Sequence, residues 1–228
     1  MRYWLITISI FLFSLGAFSQ TDSLGRIKYT PDFRFTDGLY INFSQVKNNR
    51  PIPAARIISK NEPGDFNFFR NLVEENSITY YDDYGSQKEV LTDNIWGFCQ
   101  DGKLFINYNA EFNRIPIIGK ACHFIADVTV IDYYNDPYYY DRYDSYYNSY
   151  YYRPYNRTTR SREMRQYLMR FDTGEVLNYD RESILVILME DPELYEEYIS
   201  LRKRKQKDLM FFFLRRFNEK HPIYFPVR

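Results

Sequence analysis

Nucleophilic catalysis needs a thiol or hydroxyl with a base beside it, and this sequence offers two cysteines and two histidines for the task. Cys122 and His123 are adjacent, but consecutive residues of a strand point to opposite faces, so the dipeptide is no nucleophile and base pair. His123 reads as a sheet histidine and His221 as part of a helix stop. Asp172, Thr173 and Gly174 spell the aspartic protease motif. That chemistry needs two carboxylates sharing a proton, whereas the motif occurs once, followed by Glu175. A plain Asp/Gly turn is the expectation. Glycosidase pairs leave no fixed spacing, so Asp93, Glu111, Asp127 and Asp132 stay open as donors to a carboxylate-dependent hydrolase acting on an envelope polymer. HExxH, GxSxG, a phosphate-binding glycine loop and CxxC are absent from the sequence, and no cofactor or metal is expected.

Recognition chemistry is better represented. Residues 133–155 hold half of the 24 tyrosines, otherwise almost only Asp, Asn, Arg, Ser and Pro, with no aliphatic residue to anchor a core. We read 133–157 as a low-complexity insertion. Tyrosine presents a large ring at small entropic cost and keeps a hydroxyl for hydrogen bonding. Tyr138, Tyr139, Tyr140, Tyr143, Tyr146, Tyr147, Tyr150, Tyr151 and Tyr152 are therefore the candidate contact residues. Arg153, Arg157, Arg160, Arg162 and Arg165 form a basic shoulder able to stack on such rings. A second basic cluster, 202–207, runs into the aromatic stretch 210–214. It reads as a solvated helix face, with attachment to a membrane surface as the alternative. With 30 basic against 30 acidic residues, bulk charge implies no nucleic-acid partner.

The best-specified positioning element is 92–132. Ile95, Trp96, Phe98 and Cys99 form one apolar run and Leu104, Phe105 and Ile106 another, with Asp101-Gly102 between them. Asp-Gly between two such runs is the strongest short hairpin signal. Residues 121–131 supply a third strand of this meander, with Phe124, Ala126, Val128 and Val130 on its buried face. Cys99 and Cys122 would then lie two strand spacings apart, roughly 9.5 Å. A disulfide needs Cα atoms within roughly 7 Å, so no bond is expected. Further hairpins are predicted around 82–86 and 172–174, a strand at 54–59, and a short helix at 65–75 with Phe66, Phe69, Leu72 and Val73 as its apolar side. Residues 37–53 echo 101–117 in their Asp-Gly, Ile-Asn and Asn-Arg order, which hairpin chemistry explains more simply than a duplication.

Two helices are predicted toward the other end of the chain. One covers 182–190; the other starts at Asp191 as N-cap with Pro192 at its first position and runs to about Asn218, with acidic residues early and basic ones later. Leu194, Tyr198, Leu201, Leu209, Phe212 and Phe213 make its core stripe. Met1 to Ser19 has one positive charge, an apolar run and small residues before Gln20, the pattern of a cleaved secretory signal peptide.

The stretches FTDGLYINF, IWGFCQDGKLFIN and LRKRKQKDLMFFFLRRFNEKHPIYFP, with a leader ending in Ser-Gln, resemble a group of uncharacterised exported proteins of Bacteroidetes-type bacteria. No activity is established for that group; the resemblance implies a periplasmic or other envelope location in a Gram-negative cell. The expectation is thus an α+β protein. A signal peptide at 1–19 and a loose lead-in at 20–36 precede an antiparallel β domain at 37–180, and helices at 181–228 pack on that same domain. Its meander sheet could be barrel-like. The expected role is non-catalytic, with an envelope protein or glycan as partner and no transmembrane span in the mature chain.

Overall fold

The computed structural model describes residues 25–135, 143–144, 149–150 and 156–227, with side chains over 25–130 and 161–227. The leader read at 1–19 lies outside the described residues. The chain opens with β1 (Arg26–Lys28), β2 (Gly38–Tyr40), α1 (Phe43–Lys47), β3 (Ile57–Ile58) and α2 (Phe68–Leu72). A run of strands follows: β4 (Ser77–Tyr81), β5 (Gln87–Leu91), β6 (Gly97–Gln100), β7 (Lys103–Tyr108), β8 (Glu111–Arg114) and the long β9 (Ala121–Asn135). After β10 (Tyr143–Asp144) and β11 (Ser149–Tyr150) the long β12 (Asn156–Arg170) and β13 (Val176–Asn178) lead to three helices, α3 (Arg181–Leu188), α4 (Pro192–Ser200) and α5 (Lys203–Lys220). Strand β14 (Tyr224–Pro226) comes after them. Helices and antiparallel strands in separate regions make the fold α+β.

The layers follow from strand alternation. Sheet β2-β6-β7-β8 turns Tyr40, Cys99, Leu104 and Ile106 to one side. There they meet Phe124, Ala126, Val128, Tyr167 and Met169 from the base of β9 and β12. Leu39, Phe98 and Phe105 face the other way, against α2 and the sheet β3-β4-β5. The reverse face of the β9–β12 base, Ala121 and Leu168, is covered by α3, α4 and α5. The C-terminal helices therefore do pack on the sheet.

Several expectations need correction. The meander's third strand is β8, and β9 joins β12 and β13 in a different sheet. Between β7 and β8 Asn109 and Ala110 both take positive φ, 56° and 60°, so the chain doubles back one strand early. Among the described residues no sheet closes into a barrel. The lead-in is tied down: β1 pairs with β14, and Phe33 stacks on Phe225 at 4.6 Å. The echo of 101–117 in 37–53 is no structural repeat, since Asn42 caps Gln45 N–H and starts α1 where the second copy turns into β8. Asp37 instead accepts from Gly102 N–H at 2.9 Å, bracing the Asp101-Gly102 turn, whose φ values are 54° and 68°.

The strand read at 54–59 begins as a 3-10 turn, Ala54–Arg56. In the 65–75 stretch the helix spans only Phe68–Leu72, leaving Phe66 outside it and 70% exposed. The predicted second helix is broken at Leu201 and Arg202, both extended, so the helical pair is a trio. Gln206 spans the break. Its buried amide donates to the Leu201 carbonyl and to that of Tyr198, which also accepts from Leu201 N–H, while the Tyr198 hydroxyl donates to Gln206 O at 3.0 Å. The basic cluster consequently starts α5, against the macrodipole preference, and Phe212 turns outward, 51% exposed. Hairpins β4–β5, β6–β7 and β12–β13 lie where the turn residues place them.

Candidate functional site

The Tyr-rich segment hangs on a two-stranded ribbon. β9 and β12 are 15 residues each and pair in register from Ala121 with Arg170 to Asn135 with Asn156. At about 3.4 Å per residue the pair is roughly 50 Å long. β13 pairs with Tyr167, Leu168 and Met169, and Tyr179 N–H adds a bond to Gln166 O, so from Arg165 outward the two strands have no other ladder partner among the described residues. The insertion read at 133–157 is therefore shorter than expected, since Tyr133, Tyr134, Asn135, Asn156 and Arg157 belong to the ribbon. Within the remainder Tyr143 pairs with Tyr150 and Asp144 with Ser149. Tyr138, Tyr139, Tyr140, Tyr146, Tyr147, Tyr151 and Tyr152 lie outside the described residues, as does Arg153.

The ribbon base is fixed by stacking and charge. Phe124 and Tyr167, cross-strand partners, stack at 5.6 Å, and Tyr108 closes on Tyr167 at 4.6 Å. Arg162 reaches both oxygens of Glu111 on β8, at 2.8 and 2.9 Å, and Asp127 at 3.1 Å. Two of the four carboxylates considered for hydrolysis are thus brought together. A guanidinium fills the space between them, where the scissile bond of a glycosidase substrate would have to sit. Asp93 sits apart in the 3-10 turn Thr92–Asn94, and the Asp132 side chain lies outside the described ones. The Arg162 bridge was invisible in the sequence, because Glu111 and Arg162 are 51 residues apart.

The other chemical candidates fall into structural places. Cys122 and His123 point to opposite faces, as alternation requires; Cys122 is buried in the core. Burial pushes the Cys122 thiol up to about 12, and burial with the Asp37 carboxylate raises Cys99 further. Both cysteines are free and held as protonated thiols, poor nucleophiles. His123 Nε2 donates to Gln166 Oε1 at 2.9 Å, leaving Nδ1 buried without a partner; the ring centre lies 5.0 Å from that of Tyr179 and 6.1 Å from that of Phe211. Asp172 accepts from Thr173 N–H and pairs with Arg170 at 3.2 Å, closing a turn in which Gly174 takes φ 80°. Among the described residues no group of three His, Cys, Asp or Glu side chains is arranged to hold a metal. None of the helices there is long and apolar enough to cross a membrane.

His221 belongs to a network the sequence half revealed. Asp191 caps α4 as expected, accepting from Leu194 N–H at 3.1 Å. It also holds Lys220 Nζ at 2.9 Å and His221 Nε2 at 3.0 Å, joining the start of α4 to the end of α5. Comparison with family models, with curated proteins and with solved structures found no match for this chain.

Proposed function

We propose that this is an exported, non-catalytic protein of a Gram-negative envelope that binds an envelope protein or glycan through its Tyr-rich tip. The leader-like 1–19 segment and the resemblance to exported proteins support the location. The observation that carries the binding role is the long ribbon β9–β12, which has its own pairing and a base locked to the core. A paired ribbon of that kind connects the Tyr-rich segment to the core, and tyrosine rings with hydroxyls suit recognition. The test is a cross-linking pull-down from intact cells, comparing the full chain with one whose residues 136–155 are replaced by a short Gly/Ser linker. The ribbon itself is spared. Loss of a specific partner with unchanged circular dichroism is the expected result; an identical partner list would overturn the reading.

A second reading, attachment to a membrane surface, is favoured by one feature of α5. Arg204, Lys207 and Phe211 recur at helical spacing on one face, and Phe211 is 41% exposed. Co-sedimentation with anionic liposomes that vanishes at high salt is its expected outcome. Absence of binding at low salt removes it.

A further inference from the structure

The outer face of sheet β2-β6-β7-β8 is only partly covered. Phe69 of α2 stacks on Phe98 at 6.3 Å, and Phe98 on its cross-strand neighbour Phe105 at 4.6 Å. Past α2 the cover stops. Gln100, Lys103, Phe105 and Arg114 continue the same face by register, since Gln100 pairs with Lys103 and Phe105 with Arg114. Phe66 and Arg70 stand across from them, and between lies an open cleft of about 340 Å³.

Three properties of this cleft are chemical. It gathers Arg70, Lys103 and Arg114, and none of the three has a carboxylate partner among the described residues. The one acidic neighbour, Asp101, leaves the positive charge in excess. Its walls include Phe66, a large ring 70% exposed to water. And Gln100 ties the two walls together, its amide nitrogen donating to Phe66 O. The complement of these features is an anion that also carries an apolar ring face. A peptide of acidic side chains alone supplies charge but no ring face, and a free phosphate supplies no apolar face.

The geometry points to a binding site for acidic sugar residues of the hexuronate type in this cleft. Lys103 and Arg114 take the carboxylate, Arg70 closes on it from α2, and Phe66 receives the C–H face of the ring. This site is separate from the Tyr-rich tip and does not depend on it.

Titration calorimetry at low salt with trigalacturonate, maltotriose and triglutamate tests the assignment. Trigalacturonate is expected to bind with Kd below about 1 mM, and maltotriose not to bind. The double variant Lys103→Gln/Arg114→Gln should weaken trigalacturonate binding at least tenfold, and Phe66→Ala several-fold. Both sites are exposed, so an unchanged melting temperature shows that the fold survives. Replacing 136–155 by a linker should leave the affinity as it is. The assignment is overturned if trigalacturonate does not bind, or if either variant leaves its affinity unchanged. Triglutamate binding as tightly as trigalacturonate would also overturn it, reducing the cleft to a basic patch.

Discussion

At Asp191 a carboxylate only 5% exposed ties two helices together. Burial by itself would raise its pKa, but hydrogen bonds from Lys220, Leu194 N–H and His221 outweigh it and hold the group at about 2. The folded carboxyl is thus more acidic than the unfolded one, whose value is 3.8. Its contribution is present above that unfolded value and is lost as pH falls toward about 2, where protonation favours the unfolded chain. Asp191→Asn should cost about 2 kcal/mol in urea unfolding at pH 6. The deficit should shrink as both proteins approach pH 2; a deficit independent of pH would show that the charge is not what matters. Ala110 is a residue of the opposite kind. Its φ of 60° is left-handed, a conformation that costs an L side chain about 1 kcal/mol and glycine almost nothing. Ala110→Gly is expected to stabilise the protein by about 1 kcal/mol, a rise of a few degrees in Tm by calorimetry. A fall in Tm would mean that the methyl group packs usefully.

Among the elements, the break between α4 and α5 rests on one amide. Gln206→Leu removes the donor to the Tyr198 and Leu201 carbonyls and is expected to destabilise by about 2 kcal/mol, with faster amide exchange confined to the end of α4. If exchange instead slows there, α4 and α5 have fused into the single helix that periodicity predicts. That helix illustrates what sequence reading can reach. Asp191-Pro192 marks a start by local chemistry, and Asp101-Gly102 marks a turn the same way. The break at Leu201 and Arg202 has no glycine or proline to announce it; the contacts across it come from a buried side chain further along. Strand pairing has the same limit: alternation at Phe124, Ala126 and Val128 shows which face of β9 is buried but not which strand lies beside it. The cleft residues Arg70, Gln100, Lys103 and Arg114 come from separate elements, so no spacing signals them.

Across the whole molecule, Phe225 is the point where distant parts meet. Fully buried, it touches Phe33, Phe35 and Tyr29 from the lead-in and Phe171 from the β12–β13 turn. Phe225→Ala should cost about 4 kcal/mol in urea unfolding, as for other large aromatics removed from a core. A cost below about 1 kcal/mol would make the β1–β14 pairing peripheral to stability. That pairing also bears on how the chain is made. Residues 26–28 emerge from the ribosome early, yet their strand partner is synthesised roughly 200 residues later. Until then Phe33 and Phe35 lack their cover, and any nascent chain halted before Tyr224 presents an open aromatic cluster to chaperones and proteases. The aromatic cluster around Phe225 is therefore completed only after synthesis of the β14 region, so the two ends of the described fold close last.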